Sequence, residues 1–123
     1  MITNTILVAD DEKPLRVILA EALADKGFDV MQAADGTEAI RLLQSTPSIS
    51  ILLTDIRMPR MDGFSLAEAA VAANPELKVL MMTGYAEERI PEGVLKAREV
   101  RLLFKPIAID DLCDRISDMT SRA

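Results

Sequence analysis

Histidine is absent from this chain. Its absence excludes Ser-His and Cys-His catalysis, zinc sites that need imidazole, and a phosphohistidine carrier, so any covalent phosphate must sit on another side chain. Cysteine occurs once, at Cys113, which rules out an internal disulfide and fits a reducing compartment. It falls in a late helical pattern as a small apolar filler. No apolar stretch approaches the roughly 18 to 20 residues needed to span a bilayer, and the N-terminus lacks the basic start and apolar core of a signal peptide. Positive charge is in deficit: the net charge of -6 argues against direct binding to nucleic acid or to an anionic membrane, both of which favour basic patches. A cytoplasmic protein with neither partner is the expectation.

What the chain does have is four short apolar runs, each ending in a polar residue suited to phosphoryl chemistry. Ile6-Leu7-Val8-Ala9 runs into Asp10-Asp11, and Ile51-Leu52-Leu53-Thr54 into Asp55. Val79-Leu80-Met81-Met82 runs into Thr83, and Leu102-Leu103-Phe104 into Lys105-Pro106. Strands of a parallel sheet, buried on both faces, read as continuous apolar runs of this kind. Ligands of open α/β sheets bind at the carboxyl ends of such strands. Three carboxylates, a hydroxyl and an ammonium are thereby brought to one rim.

Strand and helix alternate from end to end. A strand at Thr5 to Ala9 leads to a helix from about Lys13 to Lys26, with Leu15, Ile18, Leu19, Ala22 and Leu23 on one face and Gly27 as its stop. Phe28 to Gln32 reads as a second strand, Asp35-Gly36 as a turn, and Ala39, Ile40 and Leu43 mark a helix halted before Pro47. Ser50 to Thr54 is the third strand, and Asp55 to Asp62 a loop. Gly63 opens a third helix that ends at Asn74-Pro75. The fourth strand is Lys78 to Met82. Between Tyr85 and Arg98, Ile90, Val94, Leu95 and Ala97 suggest a helix, but Pro91 and Gly93 interrupt it, so a short or distorted element is expected. A fifth strand, Val100 to Phe104, precedes a last helix from Ile109 to Met119 with Leu112, Ile116 and Met119 inward. The 123 residues fit one domain. Five strands alternating with five helices imply an α/β, doubly wound parallel sheet of flavodoxin-like strand order 2-1-3-4-5, with Asp10, Asp11 and Asp55 at its switch point.

Asp10, Asp11 and Asp55 together create a like-charge problem: without a counter-ion at least one would take up a proton. A Mg²⁺ ion, which prefers oxygen ligands and near-octahedral geometry, relieves it. Taken alone, the acidic pair reads as a helix N-cap from Asp11 or Glu12; Asp55 on the neighbouring strand end tips the reading towards a metal. Asp55 is then the natural nucleophile, able to form an acyl phosphate. Phosphoryl transfer needs the charge on the equatorial oxygens neutralised, for which Mg²⁺, the Lys105 ammonium and the Thr83 hydroxyl are at hand. Lys105-Pro106 is a candidate cis bond that would fix the lysine's approach.

From about Thr5 to Met119 the chain resembles the receiver domain of bacterial two-component response regulators. The resemblance rests on Val8-Ala9-Asp10-Asp11, the loop from Thr54-Asp55 to Asp62-Gly63, Thr83-Gly84, and Lys105-Pro106, in that order and spacing. It implies phosphorylation of Asp55 by a partner's phosphohistidine, on a histidine kinase or histidine phosphotransfer protein. It also implies Mg²⁺ ligation by Asp11, Asp55 and the Arg57 backbone carbonyl, with Asp10 acting through water. Gly84 would leave the phosphoryl entrance open, and Arg57 and Tyr85 stand where family members tune the lifetime of the acyl phosphate. One departure is that family members usually carry Tyr or Phe three residues before the lysine; here it is Leu102, and Tyr85 is the only tyrosine.

Three rival readings are weaker. A nucleotide-binding domain needs a Gly-rich loop after the first strand, where Asp10-Asp11-Glu12 stands. An aspartate-nucleophile phosphohydrolase needs a separate acid/base and a substrate pocket. A pseudo-receiver that takes no phosphate would not need so intact an acid pocket. The expectation is a single receiver domain over residues 1–123 that turns over no metabolite. Its output would be a contact with an unknown protein target, through the face of the fourth helix, fifth strand and last helix; a receiver excised from a longer regulator is the alternative.

Overall fold

A computed structural model of the protein describes residues 5–84 and 89–121. The elements, in chain order, are β1 (Thr5–Ala9), α1 (Lys13–Asp25), β2 (Asp29–Ala33), α2 (Gly36–Ser45), β3 (Ile49–Asp55), α3 (Gly63–Ala73), β4 (Lys78–Thr83), α4 (Glu92–Leu95), β5 (Glu99–Phe104) and α5 (Ile109–Ser121). All strand pairs are parallel and the order is β2-β1-β3-β4-β5, as the alternating pattern predicts.

The central strands β1, β3 and β4 are buried along almost their whole length, and alternate side chains feed two separate cores. Leu7, Ala9, Leu52, Val79 and Met81 pack beneath α2, α3 and α4 with Ala39, Leu66, Ala70 and Val94. On the other face Ile6, Val8, Ile51, Leu53, Leu80 and Met82 meet Leu19 and Leu23 of α1 and Leu112, Ile116 and Met119 of α5. Each fully buried aliphatic side chain contributes on the order of 1.5–3 kcal/mol. The two layers thus hold the strand ends, and whatever they carry, in fixed register.

Boundaries move where turn chemistry overrides the apolar pattern. Lys26 caps α1, Gly27 adopts φ +96, a left-handed conformation that glycine tolerates, and the Phe28 N–H still bonds the Leu23 carbonyl at 3.3 Å. Phe28 therefore belongs to the helix exit and β2 begins at Asp29. Asp35-Gly36 is not a free-standing turn. Asp35 is the N-cap of α2, its Oδ1 accepting the Glu38 N–H at 2.8 Å, and Gly36 is the first helical residue. The fourth helix is a single turn, with Pro91 at its N-cap position, where a missing N–H costs little. Tyr85 lies outside the described residues.

Candidate functional site at the carboxyl rim of the sheet

The predicted site residues sit where strands run out at one end of the sheet. Asp10 follows β1, Asp55 ends β3, Thr83 ends β4 and Lys105 follows β5. The main chain is stitched across this rim: the Asp10 N–H bonds the Ala33 carbonyl at 3.1 Å, the Ile56 N–H the Met82 carbonyl at 3.2 Å, and the Lys105 N–H the Thr83 carbonyl at 2.7 Å. The Lys105–Pro106 peptide is cis.

Side chains converge accordingly. One carboxylate oxygen from each of Asp10, Asp11 and Asp55 lies within 4.8 Å of the others. Asp10 and Asp55 are buried while Asp11 is exposed. Lys105 Nζ approaches Asp55 Oδ2 at 3.2 Å, and the Arg57 N–H lies 3.4 Å from Asp55 Oδ1. The Arg57 side chain is exposed. Thr83 is buried beside this group, and a Cβ built on Gly84 would meet nothing within 4 Å.

Asp10 is the strained member. Its Oδ1 accepts the Glu12 N–H at 2.8 Å, but its Oδ2 is buried with no hydrogen-bond partner among the described residues. Burial pushes its carboxyl up to about 6. The Glu12 N–H opposes that shift, the Asp55 charge adds to it, Lys105 lowers it, and Asp11 adds a little more. A buried carboxylate oxygen left unsatisfied in a native fold calls for an explanation. Three convergent hard oxygen donors, one of them unsatisfied, fit a small divalent cation, and one ammonium among three acids leaves negative charge for it to neutralise.

Two residues that support the site were not picked out for that role from the sequence. Gly63 does more than open α3: its N–H bonds the Ile56 carbonyl at 2.8 Å, and a Cβ there would stand 2.3 Å from the Asp55 carbonyl oxygen. No other residue lets the returning chain pass so close behind Asp55. Arg16 reaches back from α1: its Nη1 donates to the Asp10 backbone carbonyl at 2.9 Å and its Nε to Gln32 Oε1 at 3.2 Å. The signal for Gly63 was its place directly after the α3 cap, Asp62, whose Oδ1 accepts the Ser65 N–H. The only signal for Arg16 was a long donor one turn into the helix that follows the acids.

The sequence profile of the response regulator receiver domain matches residues 6–117. The chain belongs to that family. Receivers are the phosphoryl-accepting switches of two-component systems. Among similar proteins, the response regulator receiver protein CpdR of Brucella abortus is 38% identical over 114 residues, which cover 93% of this chain and 94% of CpdR. The sensor kinase CckA of the same organism is 28% identical over 119 residues, 96% of this chain but 13% of the kinase. Among solved structures, a CheY-like receiver domain protein of Methanospirillum hungatei JF-1 superposes with a TM-score of 0.86 at 28% identity, covering 97% of this chain and 94% of that one. The response regulator TrrA of Thermotoga maritima, solved with Mg²⁺-BeF, superposes with a TM-score of 0.81 at 26% identity, covering 95% of this chain and 99% of that one.

An apolar groove lies elsewhere on the receiver. It holds about 430 Å³ between the ends of α2 and α3, against Leu43, Pro47, Ile49 and Ala73, and none of its lining residues ionises. It offers nothing to phosphoryl chemistry. No helix among the described residues is long and apolar enough to cross a membrane.

Proposed function

We propose that this receiver accepts a phosphoryl group on Asp55 from the phosphohistidine of a histidine kinase or histidine phosphotransfer protein, and that the modification switches a protein–protein contact. The observation that carries this reading is the pairing of Lys105 Nζ with Asp55 Oδ2 at 3.2 Å beside two further acids, Asp10 and Asp11. A buried carboxylate flanked by an ammonium and two further acids is arranged to receive an electrophile whose negative charge must be shared out.

Mg²⁺ fits the donor set, and Asp10, Asp11, Asp55 and the Arg57 carbonyl are the groups that would hold it; when bound, it supplies charge neutralisation for the transferring phosphoryl oxygens. The chain's own residues do the rest. One Asp55 oxygen attacks phosphorus in line, the phosphorus–nitrogen bond to the donor imidazole breaks, and the electron pair leaves on that imidazole. Lys105 stays within reach of the equatorial oxygens and Thr83 offers its hydroxyl. Hydrolysis of the acyl phosphate resets the switch. By its resemblance to receivers the output face is that of α4, β5 and α5, where Leu95 and Phe104 are exposed large apolar side chains.

Incubation with acetyl phosphate and Mg²⁺, followed by intact-mass measurement, tests this. A single phosphoryl adduct is expected in the wild type and none in Asp55→Asn or with chelator. An adduct that persists in Asp55→Asn would place the acceptor elsewhere and overturn the assignment.

A further inference from the structure

Asp11 is exposed, yet it must aim one oxygen at the same point as two buried acids. The start of α1 does not anchor it. The N-cap residue Glu12 makes no side-chain cap hydrogen bond, and no acid occupies the first turn of α1. What fixes the loop is its main chain. The Asp10 N–H is held by the Ala33 carbonyl, and the Asp10 carbonyl is held from the other side by Arg16 Nη1 at 2.9 Å. The same guanidinium is braced by Gln32 Oε1 at 3.2 Å, and Gln32 pairs in register with Val8 across β1 and β2. The Asp10 carbonyl belongs to the peptide plane that joins Asp10 to Asp11. Holding that oxygen holds the plane and the Asp11 Cα, and so narrows the directions in which the Asp11 side chain can leave the backbone.

We propose that Arg16 is a positioning residue for the metal pocket, setting the Asp10–Asp11 peptide so that Asp11 is preorganised as a ligand. This rests on the Mg²⁺ reading of the acid cluster. The guanidinium suits the task because its planar fork donates in two directions at once, to a carbonyl on one strand end and an amide on the next, which a lysine ammonium cannot reproduce with the same geometry. Its action is on ligand orientation: among the described residues the hydrogen bonds of the Arg16 side chain go to the Asp10 carbonyl and to Gln32, and none goes to a carboxylate of the cluster.

The test is Mg²⁺ alone, titrated into the ¹⁵N-labelled full chain and followed by the amide shifts around Asp55, for wild type, Asp11→Asn, Arg16→Met, Arg16→Lys and Gln32→Leu. Loss of an outer-shell partner weakens metal binding by about 10- to 100-fold, so Arg16→Met is expected to raise the Mg²⁺ Kd by about tenfold. Arg16→Lys should restore it only in part, and Gln32→Leu should cost less than Arg16→Met. The phosphorylation rate of Arg16→Met should return towards the wild-type value at saturating Mg²⁺, which a general loss of structure would not allow. If Arg16→Met does not fold, Arg16→Lys decides on the same Kd. A wild-type response that Asp11→Asn loses and the Arg16 variants keep unchanged would overturn the Arg16 assignment alone. A wild type that shows no Mg²⁺ response would overturn the metal reading itself, and this inference with it.

Discussion

At the carboxyl rim of the sheet three carboxylates face one ammonium, and Asp10 Oδ2 is buried with no hydrogen-bond partner among the described residues. At the amino rim two cations and two carboxylates close a chain instead. Lys78 and Glu99 begin β4 and β5 and pair in register. Lys78 Nζ donates to the Met119 carbonyl near the end of α5 and lies 4.0 Å from Glu99 Oε1. Arg101 then bridges Glu99 at 2.5 Å and Asp118 at 2.9 Å. Both rims gather charge in the same fold, and β5 contributes to each. The amino rim matches its charges and so ties α5 to the sheet. The carboxyl rim leaves its charges mismatched, and this is the end where a ligand of opposite charge is needed. A charge cluster that is internally satisfied stabilises; one left incomplete is a candidate for chemistry.

Substitutions can separate the two rims. The largest stability effect is expected from Lys78→Met. It removes a buried ammonium (9% exposed) from a network and should cost about 2–4 kcal/mol in urea unfolding, with Mg²⁺ affinity unchanged. An unaltered midpoint would show that the amino-rim network adds nothing.

Asp10→Asn should act in the opposite direction. The native Asp10 carboxyl titrates near 6 against an ordinary value of 3.8. Between these two pH values the folded protein holds more proton than the unfolded chain, so stability falls as pH rises through that window. Below it the carboxyl is neutral in both states and the penalty vanishes; above it the penalty is complete. The metal-free Asn variant should therefore gain roughly 1–3 kcal/mol at pH 7, and should lose most of the fall in stability that the wild type shows between pH 3.8 and about 6. Thermal melts in chelator across that range check both. An Asn variant less stable than wild type at pH 7 would contradict the strain assigned to Asp10.

The smallest effect is expected from Arg115→Ala. Its pair with Asp111 is 3.3 Å long, but the two side chains are 41% and 50% exposed, so solvent screens them and the change should stay within about 0.5 kcal/mol. A larger loss would mean that exposed charge on α5 matters more than its setting implies.

Most of the architecture was legible because it is written locally. Apolar runs of strand length, helical stripes and glycine or proline stops give β1 to β5 and the long helices to within a residue or two. The exceptions have local causes too. Asp35 captures the Glu38 N–H and turns a presumptive turn into a helix start, while one bond from Phe28 to the Leu23 carbonyl delays β2. Of the site, the strand ends carrying Asp10, Asp11, Asp55, Thr83 and Lys105 were legible, because strand polarity alone sends them to one rim.

Sequence by itself therefore determined the α/β class, the strand order and the set of groups at the carboxyl rim. Only the tertiary structure decided how those groups differ. Asp10 and Asp11 are adjacent and chemically identical, yet one is fully buried and the other exposed. Lys78 was an ordinary strand-start residue until α5 covered it, and Arg16 an ordinary helix residue until β2 supplied Gln32. Periodicity and turn chemistry act between near neighbours along the chain and so can be read from it. Burial and partnership depend on which distant segment packs over a side chain, and that is fixed only once the sheet and its two helical layers have closed.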